Sequence, residues 1–194
     1  MAESKFDMAR LPNWLTYGRI AAIPVIMVLI LADHPALRWL ALLLYIAAAV
    51  TDYFDGYFAR KYGTISEIGR MLDPIADKLL VGALLLVFCF DRSFGAWDLI
   101  PATVILMREI FVSGLREFMG TSKITVHVSK LAKYKTTAQL VALGVVTAEP
   151  LIPGMRELSD IILWVAAILT AITGIQYWLG VQKHLAPTEQ DDFS

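Results

Sequence analysis

An all-α, polytopic membrane protein with six transmembrane helices and a short N-terminal interfacial segment is the fold the sequence predicts, and three observations predict it. Of 194 residues, 57% are hydrophobic and only 18% charged, against about 45–50% and about 25% in ordinary soluble domains; the mean hydropathy is +0.60. Six apolar stretches run along the chain, each near the roughly 20 residues that cross a hydrocarbon layer as a helix. Charged residues gather at the ends of these stretches instead of alternating through them.

Residues 5–14 mix Phe6, Met8, Leu11 and Trp14 with Lys5, Asp7 and Arg10, a composition suited to the headgroup layer. Acids among the bases, and no small-residue cleavage site, argue against a cleaved signal peptide. The first span reads over 15–31; it carries Pro24, which membrane helices tolerate, and Asp33-His34-Pro35 ends it. The second reads over 36–58, with Arg38 and Trp39 at its outer end and Asp52 and Asp55 near its inner end. A polar connection over 60–68 leads to the third, 68–90, which opens with Asp73-Pro74 and Asp77-Lys78 and closes at Asp91-Arg92-Ser93.

The fourth span, 96–118, holds Arg108 and Glu109 late in its length. Arg116, Lys123, Lys130, Lys133 and Lys135 follow around a Gly/Thr/Ser connection. The fifth reads over 128–146, with Glu149-Pro150 beyond it, and the sixth over 158–181, before Lys183 and a polar end. The chain is thus read as one membrane domain, 1–185, with a polar tail at 186–194. Trp39, Trp97 and Trp178 are expected as interface anchors. Cys89 is expected as a small buried hydrophobe; a single cysteine excludes a disulfide framework and a thiolate metal site.

Six crossings put both termini on one side, and loop charge chooses which. Of the 17 Lys and Arg residues, only Arg38, Arg92 and Arg156 fall on the side opposite the termini. The excess places the termini and the acidic residues in the cytoplasm. Bases segregated by loop, with a net charge of -1, do not describe a nucleic-acid groove.

The chemistry concentrates in residues 51–78. Asp52 and Asp55 end one span, Asp73 and Asp77 begin the next, and their i,i+3 and i,i+4 spacings place each pair on one helix face. Four carboxylates at a membrane boundary repel one another unless cations, protons or basic partners are present. Oxygen-only donors with no nearby His or Cys suit Mg²⁺ or Mn²⁺, which bind phosphate oxygens and offset charge during phosphoryl transfer. Gly56, Ala59 and Gly69 offer small surfaces for a planar or phosphate group, and Arg60 can grip a phosphate in a forked geometry. A structural cluster or an ion or proton pathway is the competing account of intramembrane acids.

The run Asp52-x2-Asp55-Gly56-x2-Ala59-Arg60-x8-Gly69-x3-Asp73-x3-Asp77 matches without a gap the signature of the CDP-alcohol phosphatidyltransferases, and the chain resembles that family over essentially its whole length. The resemblance implies six transmembrane helices, a homodimer, and transfer of a phosphatidyl or related group from a CDP-linked donor to a hydroxyl, releasing CMP. It also implies that Asp52, Asp55 and Asp73 hold divalent ions, two in number, with Asp77 beside them as the base. Gly56, Ala59 and Gly69 would shape the nucleotide site and Arg60 would contact the donor diphosphate.

Leu11-Pro12-Asn13-Trp14-Leu15-Thr16-Tyr17-Gly18-Arg19, Met107-Arg108-Glu109 and the segment 129–137 are similar to bacterial members of the family that take glycerol 3-phosphate. That similarity implies CDP-diacylglycerol as donor, membrane lipids as surroundings and the bacterial inner membrane as location. A phosphate-bearing acceptor needs cations beyond the metals; Arg108, Arg116, Lys130 and Lys135 are the expected supply. Arg108 could equally pair helices through Glu109, and Asn13 could cap the first helix or border the nucleotide pocket. Inositol phosphate, serine or another alcohol is the alternative acceptor. A transporter or a non-catalytic lipid scaffold is the alternative outside the enzyme class.

Overall fold

Apolar residues recur at three- and four-residue spacing through each long stretch, and each stretch folds as a helix with one face turned to its neighbours. The structure, a computed structural model, describes residues 2–62, 67–121 and 131–185, apart from the side chains of 2–13, 52–62, 67, 68, 70, 121, 132 and 133. Within them α1 spans Ala2–Leu31, α2 Pro35–Tyr62, α3 Glu67–Phe90, α4 Leu99–Thr121, α5 Leu131–Ala148 and α6 Arg156–Leu185. There is no strand among the described residues. The polar tail at 186–194 lies outside them.

Three boundaries differ from expectation. The segment over 5–14, expected to stand apart from the first span, is continuous with it in α1. The second helix runs on to Tyr62, so the whole Asp52–Arg60 part of the motif is helical. The fourth helix starts at Leu99, because Ala96–Asp98 forms a separate 3-10 turn in which the Asp98 carboxylate accepts the Gly95 N–H at 2.8 Å. Pro101 then falls in the first turn of α4, where its missing N–H costs nothing.

Helix α1 packs on α2 and α3, α5 on α6 and α2, and α4 on α6. All six meet in one core: Ile26 and Ile30 of α1, Tyr45 of α2, Leu84 and Phe88 of α3, Ile105 of α4, Leu143 of α5 and Leu163 of α6 are all essentially shut off from solvent. Gly144 lets α5 approach α2 closely, since a Cβ there would lie 3.3 Å from the Tyr45 ring, whose hydroxyl donates to the Leu140 carbonyl at 2.7 Å. Such close backbone approach is how helices associate where the surroundings are as apolar as the side chains.

The outward faces are apolar as well. Val28, Leu43, Leu86, Phe90, Ile161, Ile168 and Ile175 are all exposed, and a soluble monomer seldom shows so continuous an apolar surface. An all-α, membrane-associated bundle accounts for it. Trp39, Trp97 and Trp178 are exposed, as interface anchors would be. Cys89 is also exposed, which corrects the expectation of a buried thiol: in such a bundle a small apolar side chain can face outward.

Two helices among the described residues are long and apolar enough by themselves to cross a bilayer, at Trp14–Leu31 and Arg156–Leu185, and Pro35–Thr51 is a shorter apolar stretch. Apolar length alone therefore does not support six spans. In α3 and α4 charged residues interrupt the apolar stretch, Asp73, Asp77 and Lys78 in the one and Arg108, Glu109 and Arg116 in the other, while the side chains of α2 are described only to Thr51.

At the other end of the bundle, one buried ion pair and others part-buried join the loops. Arg38 donates to Asp91, to the Ser93 hydroxyl at 2.8 Å and to the Thr147 carbonyl at 2.9 Å. Arg156 donates to Asp98 and to the Ser93 carbonyl, and its Nε lies 3.1 Å from Asp160. Burial pushes the Glu149 carboxyl above the usual carboxylate range, with Arg156 at 3.9 Å and Arg38 opposing the rise. Two of the three bases counted on the side opposite the termini, Arg38 and Arg156, thus meet at Ser93, where the start of α2, the α3–α4 connection and the start of α6 come together.

Candidate functional site

Helix α3 carries the described half of the acidic motif. Gly69, Asp73 and Asp77 follow one another at four-residue spacing, so they stack along one side of the helix. Gly69 is buried and both aspartates are half-buried. Pro74 between them removes one backbone donor from the helix, and the Lys78 ammonium returns to donate to the Pro74 carbonyl at 2.7 Å. From α1, the buried Thr16 hydroxyl donates to Asp73 Oδ1 at 2.6 Å. That bond orients the carboxylate and ties the first helix to the site.

Asp73 and Asp77 line a cleft of about 280 Å³ together with Lys78, Arg108, Glu109, Ser113, Arg116 and Lys135. On α4 the lining residues Glu109, Val112, Ser113 and Arg116 recur at helical spacing, so one face of that helix supplies the wall opposite α3. The volume lies at the small end for ligand sites, which suits a small polar molecule and not a whole lipid.

The cleft's charges are organised by Glu109. Its Oε1 accepts from the Lys135 ammonium, from Arg108 Nη1 at 3.1 Å and from Gln139 Nε2 at 3.2 Å. Gln139 donates also to the Thr170 hydroxyl at 3.0 Å, and Arg108 Nη2 reaches the Thr173 hydroxyl at 3.5 Å. Glu109, Lys135, Gln139, Thr170 and Thr173 are all buried. The stem of Arg108 lies flat against α6 at Gly174, where a Cβ would come within 2.9 Å of Arg108 Cγ.

The fold therefore brings five expected site residues to one cleft, Asp73, Asp77, Arg108, Arg116 and Lys135. Gly69 is buried on α3 one turn before Asp73, and the remaining expected residues are not placed. Lys130 lies outside the described residues, as do the side chains of Asn13, Asp52, Asp55, Gly56, Ala59 and Arg60. No group of three metal-ligating side chains is found among the described residues, which leave out Asp52 and Asp55, half of the expected set. Thr16, Gln139, Thr170, Thr173 and Gly174 were not singled out from the sequence for this site. For Gln139, Thr170 and Thr173 a signal existed, since polar residues within apolar spans are costly unless partnered.

The fold and the cleft define a class: an all-α, membrane-associated bundle with acids and bases gathered in a polar cleft at one end. The chain belongs to the CDP-alcohol phosphatidyltransferase family, whose sequence model matches residues 9–172. It is 46% identical over 177 residues to the CDP-diacylglycerol--glycerol-3-phosphate 3-phosphatidyltransferase of Rickettsia bellii, covering 90% of this chain and 96% of that protein. Proteins of the same description from Sodalis glossinidius, 37% identical over 182 residues (90% of this chain, 96% of that one), and Bacillus subtilis, 35% over 185 (88% and 94%), are also similar. The chain is accordingly a transferase of that family and most resembles its glycerol-3-phosphate branch.

Proposed function

We propose that the protein transfers the phosphatidyl group of CDP-diacylglycerol to a hydroxyl of glycerol 3-phosphate, forming phosphatidylglycerophosphate and CMP. The observation that carries this reading is the shared cleft, with Asp73 and Asp77 on one wall and Arg108, Arg116 and Lys135 on the others. The acceptor hydroxyl attacks the phosphorus of the phosphatidyl group, its proton passes to Asp77, and the bond to the CMP oxygen breaks. Arg108, Arg116, Lys135 and Lys130 take the acceptor phosphate. Asn13, Asp52, Gly56, Ala59, Arg60 and Gly69 hold the CDP end of the donor.

The donor chemistry fits a hard divalent ion: the acids are oxygen ligands only, and the Thr16 hydroxyl orients the Asp73 carboxylate. Asp52, Asp55, Asp73 and Asp77 would hold Mg²⁺ or Mn²⁺, two ions in all, and these would offset the diphosphate charge as CMP departs. The bundle spans the bacterial inner membrane six times as a homodimer, with termini and cleft cytoplasmic. The orientation is supported by the loop-charge asymmetry and the membrane setting by the apolar outward faces, while the homodimer and the bacterial inner membrane rest on the family resemblance. A cleft at that boundary admits a soluble acceptor from water while the donor's tails stay in hydrocarbon.

CMP release by the purified protein is expected to require CDP-diacylglycerol, glycerol 3-phosphate and Mg²⁺ or Mn²⁺ together, and to stop with a chelator. Equal turnover with inositol phosphate or serine, read by identifying the lipid product, would sink the acceptor assignment. Gly174→Ala tests the seat of Arg108. The new methyl meets Arg108 Cγ, close to that residue's own backbone, so the stem must shift: the melting temperature is expected to fall modestly, within the usual overpacking cost, while KM for glycerol 3-phosphate rises about threefold to tenfold and KM for CDP-diacylglycerol holds. An unchanged KM would remove Arg108 from the acceptor site.

A further inference from the structure

Two cations intended for an anionic substrate would ordinarily be left free to meet it, yet Lys135 and Arg108 both donate to the same buried carboxylate oxygen. We infer that Glu109 is a positioning residue for the acceptor: held by Gln139, it fixes Lys135 and Arg108 at the separation a phosphate requires. The inference rests on the glycerol 3-phosphate reading above and deepens it.

Three features of the site carry it. Glu109 is anchored independently of the cations, because Gln139 spans from its Oε1 to the Thr170 hydroxyl and so ties α4 through α5 to α6. Both cations belong to the cleft wall although their charged ends turn to Glu109. Asp77 is the other acid whose field reaches the Lys135 ammonium. One carboxylate between two cations leaves the group a net charge of +1, enough to attract an anion while both donors remain aimed.

Charge alone makes the opposite prediction, which renders the idea testable. Glu109→Gln raises the local net charge to +2, so simple attraction lowers KM for glycerol 3-phosphate. Positioning raises it, by about tenfold or more, the scale of a lost hydrogen bond to a charged group. The full chain is purified in lipid–detergent micelles and each substrate is titrated with the other saturating. In Glu109→Gln, KM for glycerol 3-phosphate should rise while KM for CDP-diacylglycerol stays within about twofold. Glu109→Asp, which keeps the charge one methylene short, should fall between it and the parent.

Gln139→Leu leaves every charge in place, and positioning still requires KM for glycerol 3-phosphate to rise. This neutral change decides the matter should Glu109→Gln fail to fold. A KM that falls or stays constant in the folded variants overturns the inference, as does an equal rise for both substrates, the mark of a general structural defect. The parent protein serves as control: if its CMP release does not depend on glycerol 3-phosphate, the underlying reading has failed, and not the role of Glu109 alone.

Discussion

Asp77→Asn is expected to lower kcat by about 10²- to 10⁴-fold, the usual contribution of a positioned base. The two side chains have nearly the same shape, so the cleft is retained while an amide cannot take the proton that the proposed mechanism assigns to Asp77. Asp77 occupies the middle of the chemistry geometrically: it shares the cleft with the cations of α4 and α5 and lies one turn beyond Asp73, which Thr16 holds. Donor binding should change much less than turnover. Steady-state CMP release alongside nucleotide binding by the same preparation separates the two, and near-parental turnover in Asp77→Asn would rule out the base assignment. On the proposed metal role, Asp73→Asn should weaken turnover through lost metal affinity, and excess Mn²⁺ should restore part of it.

The largest effect on stability is expected at the far end of the bundle, from Arg38→Met. The change leaves Asp91, whose side chain is only 8% exposed, without its guanidinium partner, and strips the Thr147 carbonyl and Ser93 hydroxyl of a donor. Breaking a buried pair from one side costs about 3–5 kcal/mol, because a charge remains where water cannot reach it. A large fall in the detergent melting temperature is the expected reading, with turnover per folded molecule unaltered because the cleft lies at the opposite end. Adding Asp91→Leu should recover much of the loss by removing the orphaned charge. A single variant that melts like the parent would show that solvent or lipid headgroups already satisfy Asp91.

Part of the candidate site was legible in the sequence, for a definite reason. Ligands along a helix must recur at three- and four-residue steps, so Asp73 and Asp77, and Gly69 before them, announce a shared face in one dimension. Apolar runs of membrane-crossing length likewise announce helices, and α1 to α6 fall where they were expected, within a few residues at most described ends. Less legible was what each polar residue in an apolar run would meet. Arg108 could be read as a phosphate ligand or a helix pair; it lines the cleft and also donates to Glu109. Nothing in the local sequence around Gln139 or Thr170 says that they lie 3.0 Å apart, because that contact joins α5 to α6.

By itself, then, the sequence determined the helical class, the apolar faces, the spacing of the acidic motif and the family to which it belongs. These are properties of short segments, set by backbone periodicity and by the cost of placing polar groups in hydrocarbon. Only the tertiary structure decided that Glu109 gathers Lys135, Arg108 and Gln139, that Thr16 reaches Asp73 across from α1, and that Arg38 and Arg156 meet at Ser93. Apart from the Arg108–Glu109 bond within α4, these contacts join residues on different helices, or on a helix and a loop outside it, and their pairing depends on how the helices rotate and slide to pack. That packing is a property of the whole bundle and is written in no single stretch of it.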